Sequence, residues 1–124
     1  MTKAICFQVS LLASAFVLVA AVSNSAIAQE KGKATIKVLL ENDKVLVTEN
    51  HFRPGDVGED DRSKFRVNRT LQGGTLERIF PDGKRERFEV TTGQVRYFEP
   101  SKSGNYKVMN VGKTTVINYV VRLK

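Results

Sequence analysis

Between Lys64 and Pro100 the chain alternates apolar and polar residues in short runs, and each run ends at a turn signal, which restricts this stretch to paired β-strands. Phe65, Val67 and Leu71 alternate up to Gly73-Gly74. Leu76 and Phe80 alternate up to Pro81-Asp82-Gly83, and Phe88 and Val90 lead out to Gly93. Two adjacent glycines suit a two-residue hairpin loop with positive φ at both positions, since glycine enters that region without a steric penalty. Proline followed two residues later by glycine suits a three-residue loop with a bulge, Gly83 taking the left-handed position. The expectation is a three-strand antiparallel meander with one apolar face.

The remaining segments read the same way. Strands are expected over Thr35 to Glu41 and Lys44 to Glu49, broken at Asn42-Asp43. His51, Phe52 and Arg53 then enter a turn at Pro54-Gly55-Asp56. Val57 to Arg62 is rich in acids and reads as a loop. Val95 to Glu99, Tyr106 to Val111 and Thr115 to Leu123 are further strands, the last two hinged at Gly112-Lys113. Val116 to Leu123 is apolar on both faces, the pattern of a strand buried on two sides or packed on a second subunit. No stretch shows a 3.6-residue period, so the fold class is all-β, a sandwich or barrel.

The first 28 residues carry a different signal. Lys3 precedes an apolar run, Ala4 to Val22, and the following Ser23 to Ala28 ends in Ala26-Ile27-Ala28, a small-x-small cleavage pattern. Residues 1–28 are read as a signal peptide and residues 29–124 as one exported domain, periplasmic or extracellular, without stable membrane insertion after cleavage. The single cysteine, Cys6, falls in the removed part, so the domain has no disulfide, thiolate nucleophile or thiolate metal site. Of the 20 Lys and Arg only Lys3 is lost, and all 13 acids remain, so the domain stays basic. With no tryptophan and no exposed strand on which aromatics interleave with bases, nucleic acid is not an expected partner.

The order of turns, VLLENDKVLVTE, RPGD, LQGGTLERIFPDGKRERFEVTTGQVRYFEP, VMNVGKTT and a closing VVRLK, resembles small single-domain cupins over nearly all of residues 29–124. The resemblance implies a double-sheet jelly-roll barrel, a homodimer, and a pocket between the sheets. It also implies a divalent metal held by an HxH pair, a glutamate and a third histidine. Counted from Gly73-Gly74 and from Asn110-Val111-Gly112, those positions hold Asp61, Ser63, Val67 and Tyr106. None is the expected ligand, and no metal or cofactor is assigned. The lone His51 cannot build such a site and is read as a rim residue with one hydrogen bond.

Other chemistries are weaker. Ser63, His51 and Asp61 form a formal Ser-His-acid set without an elbow motif. Glu59, Asp60 and Asp61 lack the spacing of a calcium loop. Asn68-Arg69-Thr70 matches a glycosylation acceptor but lies in an expected strand.

The informative pair is Arg69 and Arg78. A two-residue loop at Gly73-Gly74 sets them opposite each other on the face of Val67, Leu71, Leu76 and Phe80, which the resemblance to cupins implies is the face lining the barrel, with Phe88 beside Arg78 for stacking. Inward guanidinium groups need a counter-charge: Asp61, Glu86 or a bound anion. The functional expectation is a metal-free binding or interaction module holding a small anionic ligand through Arg69, Arg78, Tyr106, Ser63 and Asp61. The alternative is a cupin-type enzyme, an isomerase, epimerase or dioxygenase, with a divergent site. Internal ion pairing of the arginines, or a bulge turning one of them outward, would leave no slot.

Overall fold

The computed structural model of the chain describes residues 32–102 and 104–124. The expected signal peptide lies outside the described residues. Nine strands are present: β1 (Thr35–Glu41), β2 (Val45–Phe52), β3 (Val57–Asp60), β4 (Arg66–Gln72), β5 (Gly74–Ile79), β6 (Arg85–Val90), β7 (Val95–Phe98), β8 (Tyr106–Asn110) and β9 (Val116–Leu123). They form two antiparallel sheets, one of five strands in the order β1-β2-β9-β4-β7 and one of four in the order β3-β8-β5-β6. The described residues contain no helix.

The turn chemistry explains most of the links. Asn42 accepts hydrogen bonds from the amides of Lys44 (2.8 Å) and Val45 (2.9 Å) through its side-chain oxygen, closing the β1-β2 hairpin. Gly55, Gly83 and Gly93 sit at φ of 86°, 89° and 84°, the left-handed region open to glycine. At Pro81-Asp82-Gly83 the amides of Gly83 and Phe80 bond to Phe80 O and Lys84 O, both at 2.9 Å, which is the bulged loop expected there. Asn110, 1% exposed, ties down the β8-β9 corner. Its Nδ2 donates to Phe52 O (2.7 Å) and Thr114 O (2.8 Å), and its Oδ1 accepts from Gly112 N (2.9 Å).

Two sequence expectations are corrected. Val57–Asp60 is a strand, not a loop: it pairs with β8 at the edge of the four-stranded sheet, where its acids stay near water or reach arginines. Gly73-Gly74 does not close a hairpin either. Neither residue has positive φ. The pair carries the chain from one sheet to the other, with β4 between β9 and β7 and β5 between β6 and β8. These glycines are needed for closeness: a Cβ on Gly73 would lie 2.3 Å from Val90 O, and one on Gly74 would lie 2.9 Å from Val116 Cγ2. Only the β5-β6 part of the expected meander exists as a hairpin.

The apolar core lies between the sheets and runs from Val116 and Val90 near this crossing to Tyr106 and Phe80 at the far end of β8 and β5. Phe52, Leu76, Val90, Tyr106, Val108 and Val116 form one cluster, with Ala34, Phe80 and Phe88 packed against it. Against one side of this core the space between the sheets turns polar and opens into a cavity.

Candidate functional site

The five-stranded sheet sends polar side chains inward. On β4 the inward residues are Arg66, Asn68 and Thr70, facing β9 residues Arg122, Val120 and Asn118 in register. Arg66 and Thr70 are buried, and Thr70 Oγ1 pairs with Asn118 Oδ1 at 3.1 Å. β2 contributes Thr48 and Asn50, and β7 contributes Arg96 and Phe98. From the four-stranded sheet come Leu76, Arg78, Phe88, Tyr106 and Val108. Together these line a cavity of about 270 Å³. Ile36 and Val38 line it from edge strand β1 yet remain 59% and 54% exposed, which marks where the cavity meets solvent.

Four guanidinium groups, those of Arg66, Arg78, Arg96 and Arg122, line this space. Aromatic rings separate three of them in a ladder that crosses between the sheets. The Arg66 guanidinium carbon lies 4.4 Å from the centroid of Phe98, Arg96 lies 5.5 Å from Phe98 and 5.7 Å from Phe88, and Arg78 lies 4.1 Å from Phe88. Arg78 and Arg62 then flank Tyr106 at 5.5 and 5.1 Å. Ring quadrupoles offset part of the repulsion between cations held this close. Burial holds the Arg96 guanidinium below its ordinary range, and the Arg78 charge pushes the same way.

Counter-charge is partial. Asp60 meets Arg66 Nη2 at 2.6 Å, and Arg78 reaches Glu86 only at 3.9 Å. Among the described residues neither Arg96 nor Arg122 has an ion-pair partner within 4 Å. Asp61 is held below the usual carboxylate range, first by the amide of Ser63 and then by its hydroxyl, with Arg122 and Arg66 helping at longer range. Burial raises the Tyr106 phenol, and the Asp60 charge and hydrogen bond raise it further, so Tyr106 is a neutral donor throughout the physiological range.

Three buried guanidinium Nε groups (Arg66, Arg96 and Arg122) and two buried amide oxygens (Asn50 and Asn68) have no hydrogen-bond partner in the protein. An unpaired buried polar group costs on the order of 1–3 kcal/mol, more when charged, so these five call for partners from outside the chain, water or a ligand.

Of the residues expected at a site, Arg78, Tyr106 and Asp61 line the cavity, and Arg69 and Ser63 do not. Arg69 pairs in register with Val95 and Tyr119 and faces out. Arg69 and Arg78 are not opposed: they lie in different sheets, and Arg78 pairs in register with Glu86 and Val108; the arginines that neighbour each other in register are Arg66 and Arg122 across β4 and β9. Reading Gly73-Gly74 as a hairpin put Val67 and Leu71 on the inner face; strand side chains alternate, so that choice inverted the whole of β4. Ser63 is exposed, outside the cavity, and serves only to bond Asp61. Phe88 does stack on Arg78 as expected. His51 bonds Glu49 at 2.6 Å on the outer face of β2. Arg66, Arg96, Arg122 and Asp60 are absent from the sequence-derived set. The alternation Arg66-Asn68-Thr70 was visible, but nothing local states that a polar face points inward.

At the positions where a cupin metal would be bound, Ser63 and Val67 are exposed, Tyr106 keeps its proton, and Asp61 stands among arginines. Of these four positions only Asp61 carries a carboxylate, its neighbour Asp60 is taken up by Arg66, and carboxylates set beside several guanidinium groups do not fit a divalent cation. Among the described residues no cluster of three or more His, Cys, Asp or Glu has metal-binding geometry.

Solved structures share this arrangement. A cupin domain from Bordetella pertussis Tohama I superposes with a TM-score of 0.66 at 24% identity over 77% of this chain and 97% of that one. The fold is that of a cupin domain. The polyketide cyclase RemF from Streptomyces resistomycificus has a TM-score of 0.56 at 20% identity over 78% of this chain and 70% of that one. The cupin domain of an XRE family transcriptional regulator from Enterobacter cloacae has a TM-score of 0.52 at 17% identity over 72% and 94%. No family model and no curated protein sequence matches the chain. An enzyme and a regulator domain share this cupin fold, so function must be argued from the cavity.

Proposed function

We propose that this chain is an exported, metal-free cupin-fold binding module whose interior holds one small organic anion. The observation that carries the reading is the set of three buried arginine Nε donors without partners, on β4, β7 and β9, around one cavity. A carboxylate, sulfate or phosphate supplies the acceptors these donors lack and completes the charge balance of Arg96 and Arg122. Tyr106 adds a neutral donor. The amide oxygens of Asn50 and Asn68 favour an anion whose body carries hydroxyl or amine hydrogens, and the rings of Phe88 and Phe98 favour a compact body.

Isothermal titration calorimetry with phosphate, sulfate and a series of mono- and dicarboxylates with and without hydroxyl groups tests this. Arg96→Leu and Arg122→Leu are each expected to weaken binding at least about tenfold, which is about 1.4 kcal/mol, whereas Arg69→Ala on the outer face leaves it unchanged. Failure of every anion to bind, or equal affinity in all three variants, rejects the reading. The export part stands on the residues before Gln29, and mass spectrometry of the protein recovered from its cell should read Gln29 as the first residue.

A further inference from the structure

Donors and acceptors are segregated along the inner wall of the five-stranded sheet. Inward side chains recur every second residue, so in register they form rows about 6.8 Å apart. The first row is cationic, with Arg122 beside Arg66 and Phe98 beyond it. The second runs Thr48, Val120, Asn68 and Arg96, and the third holds Asn50, Asn118 and Thr70 without a charge. The unpaired buried groups divide the same way. The donors, Nε of Arg66, Arg122 and Arg96, occupy the first row and the β7 end of the second, whereas the acceptors, Oδ1 of Asn68 and Asn50, occupy the second and third. The opposite sheet contributes Leu76, Val108 and the ring of Phe88, which offer hydrocarbon.

We infer that the occupant is a polyhydroxylated carboxylate of five or six carbons, a sugar acid, whose carboxylate lies on the arginine row and whose hydroxyl groups lie on Asn68 and Asn50. These two asparagines set its selectivity. The inference rests on the reading of the cavity as an anion site and specifies the rest of the molecule. A carboxylate has only acceptors, so it suits the Nε corner but cannot serve an amide oxygen, which needs a donor. An ammonium group is a donor, but here it stands within one or two row spacings of Arg66, Arg96 and Arg122. Of those three, only Arg66 has a carboxylate within 4 Å among the described residues, so a further cation is repelled. A hydroxyl donates to the amide oxygen without adding charge, and its own oxygen still accepts from an arginine.

The dimensions agree. Two row spacings, less a hydrogen bond of about 2.9 Å at each end, leave about 8 Å between the arginine row and Asn50, the length of an extended six-carbon acid. The cavity of about 270 Å³ has the room of about nine waters, enough for such a molecule. A sugar acid also presents C–H groups on the flank turned away from its hydroxyls, and these meet Leu76, Val108 and Phe88.

Isothermal titration calorimetry with matched acids tests it: gluconate against hexanoate, glucuronate against cyclohexanecarboxylate, and 6-aminohexanoate as the ammonium control. In the wild type the hydroxylated member of each pair is expected to bind at least about tenfold more tightly than its deoxy counterpart, and 6-aminohexanoate no better than hexanoate. Asn68→Leu and Asn50→Leu should each bring the members of a pair to within about threefold, by weakening the hydroxylated acid and leaving the deoxy acid unchanged. Each variant also removes an unpaired buried acceptor, so the urea midpoint of the unliganded protein should not fall. The two residues lie on different strands, so a folding defect in one variant leaves the other to decide. Deoxy acids that bind as tightly as hydroxylated ones, 6-aminohexanoate as the tightest ligand, or asparagine variants that weaken both members alike overturn the inference while leaving the anion reading in place. A lowered midpoint in both variants makes the asparagines structural and overturns it too. Failure of every acid to bind removes the anion reading and this inference together.

Discussion

The two sheets of this barrel are built on opposite plans. In the four-stranded sheet the inward residues Leu76, Phe88, Val90 and Val108 are apolar, and Arg78, Tyr106 and Asp60 are its polar inward residues at the cavity. Its outer face is charged: Glu77 there meets Arg85 at 2.8 Å and Arg87 at 3.1 Å across the β5-β6 pair. The five-stranded sheet turns Arg66, Asn68, Thr70, Asn118 and Arg122 inward and Val67, Val121, Tyr97 and Ile117 outward. The first is an ordinary half-buried sheet. The second turns polar and charged side chains toward the cavity and leaves apolar ones exposed on its outside. The difference teaches that the alternation of one strand set can be inverted relative to the other, so that one sheet of the barrel lines the cavity with polar groups while apolar side chains stay on its outside.

If the four-stranded sheet is the one that stabilises the monomer, the largest loss should come from there. Leu76→Ala, at a site 2% exposed, is expected to cost about 3–5 kcal/mol in urea unfolding. A loss under about 1 kcal/mol would break the contrast between the sheets.

Within the five-stranded sheet Arg66→Met leaves Asp60 without its partner. The expected cost is about 2–3 kcal/mol, the low side of breaking a buried pair, because Asp60 keeps 19% of its side-chain exposure. Pairing it with Asp60→Leu should recover much of that loss, since the charge left behind, rather than the lost contact, dominates. A double variant as unstable as the single would mean that Arg66 acts chiefly by packing on Phe98.

Thr70→Val removes the partner of Asn118 Oδ1 in the buried polar layer. About 1 kcal/mol is expected, read from the urea midpoint at unchanged slope.

The smallest effect concerns the charged outer face. Hydrogen bonds from Arg87 and then Arg85 hold the Glu77 carboxyl below its ordinary value of 4.5, so its contribution is fully present above that pH and is lost as the pH falls through the lowered value. Comparing wild type with Glu77→Gln by urea unfolding down an acid series should show a small gap that closes in that acid window. A gap that widens on acidification would contradict the sign.

The reading of the strands from sequence succeeded where a turn residue has a local reason to be there. Asn42 caps a hairpin with its own side chain, and Gly55, Gly83 and Gly93 hold the left-handed backbone. It failed at Gly73, whose need for glycine comes from Val90 O in a different strand, a contact that no local pattern encodes. That single misreading exchanged the two faces of β4 and replaced Arg66 with Arg69 in the expected site. The Arg78-Phe88 stack and the place of Tyr106 in the cavity survived, because they depend on the β5-β6 hairpin and on β8, whose registers were not disturbed.

Composition, alternation and turn chemistry by themselves determined an all-β domain of short strands and the loops at Asn42-Asp43 and Pro81-Asp82-Gly83, while the inward place of Arg78 came with the resemblance to cupins. Only the tertiary structure decided which arginines join it, that they stack with phenylalanines into a ladder across both sheets, and that the five-stranded sheet faces its apolar side outward. The physical reason is that a strand's period of two names two faces without ranking them. The ranking comes from which sheet packs opposite, and that is set by contacts between strands far apart in the chain.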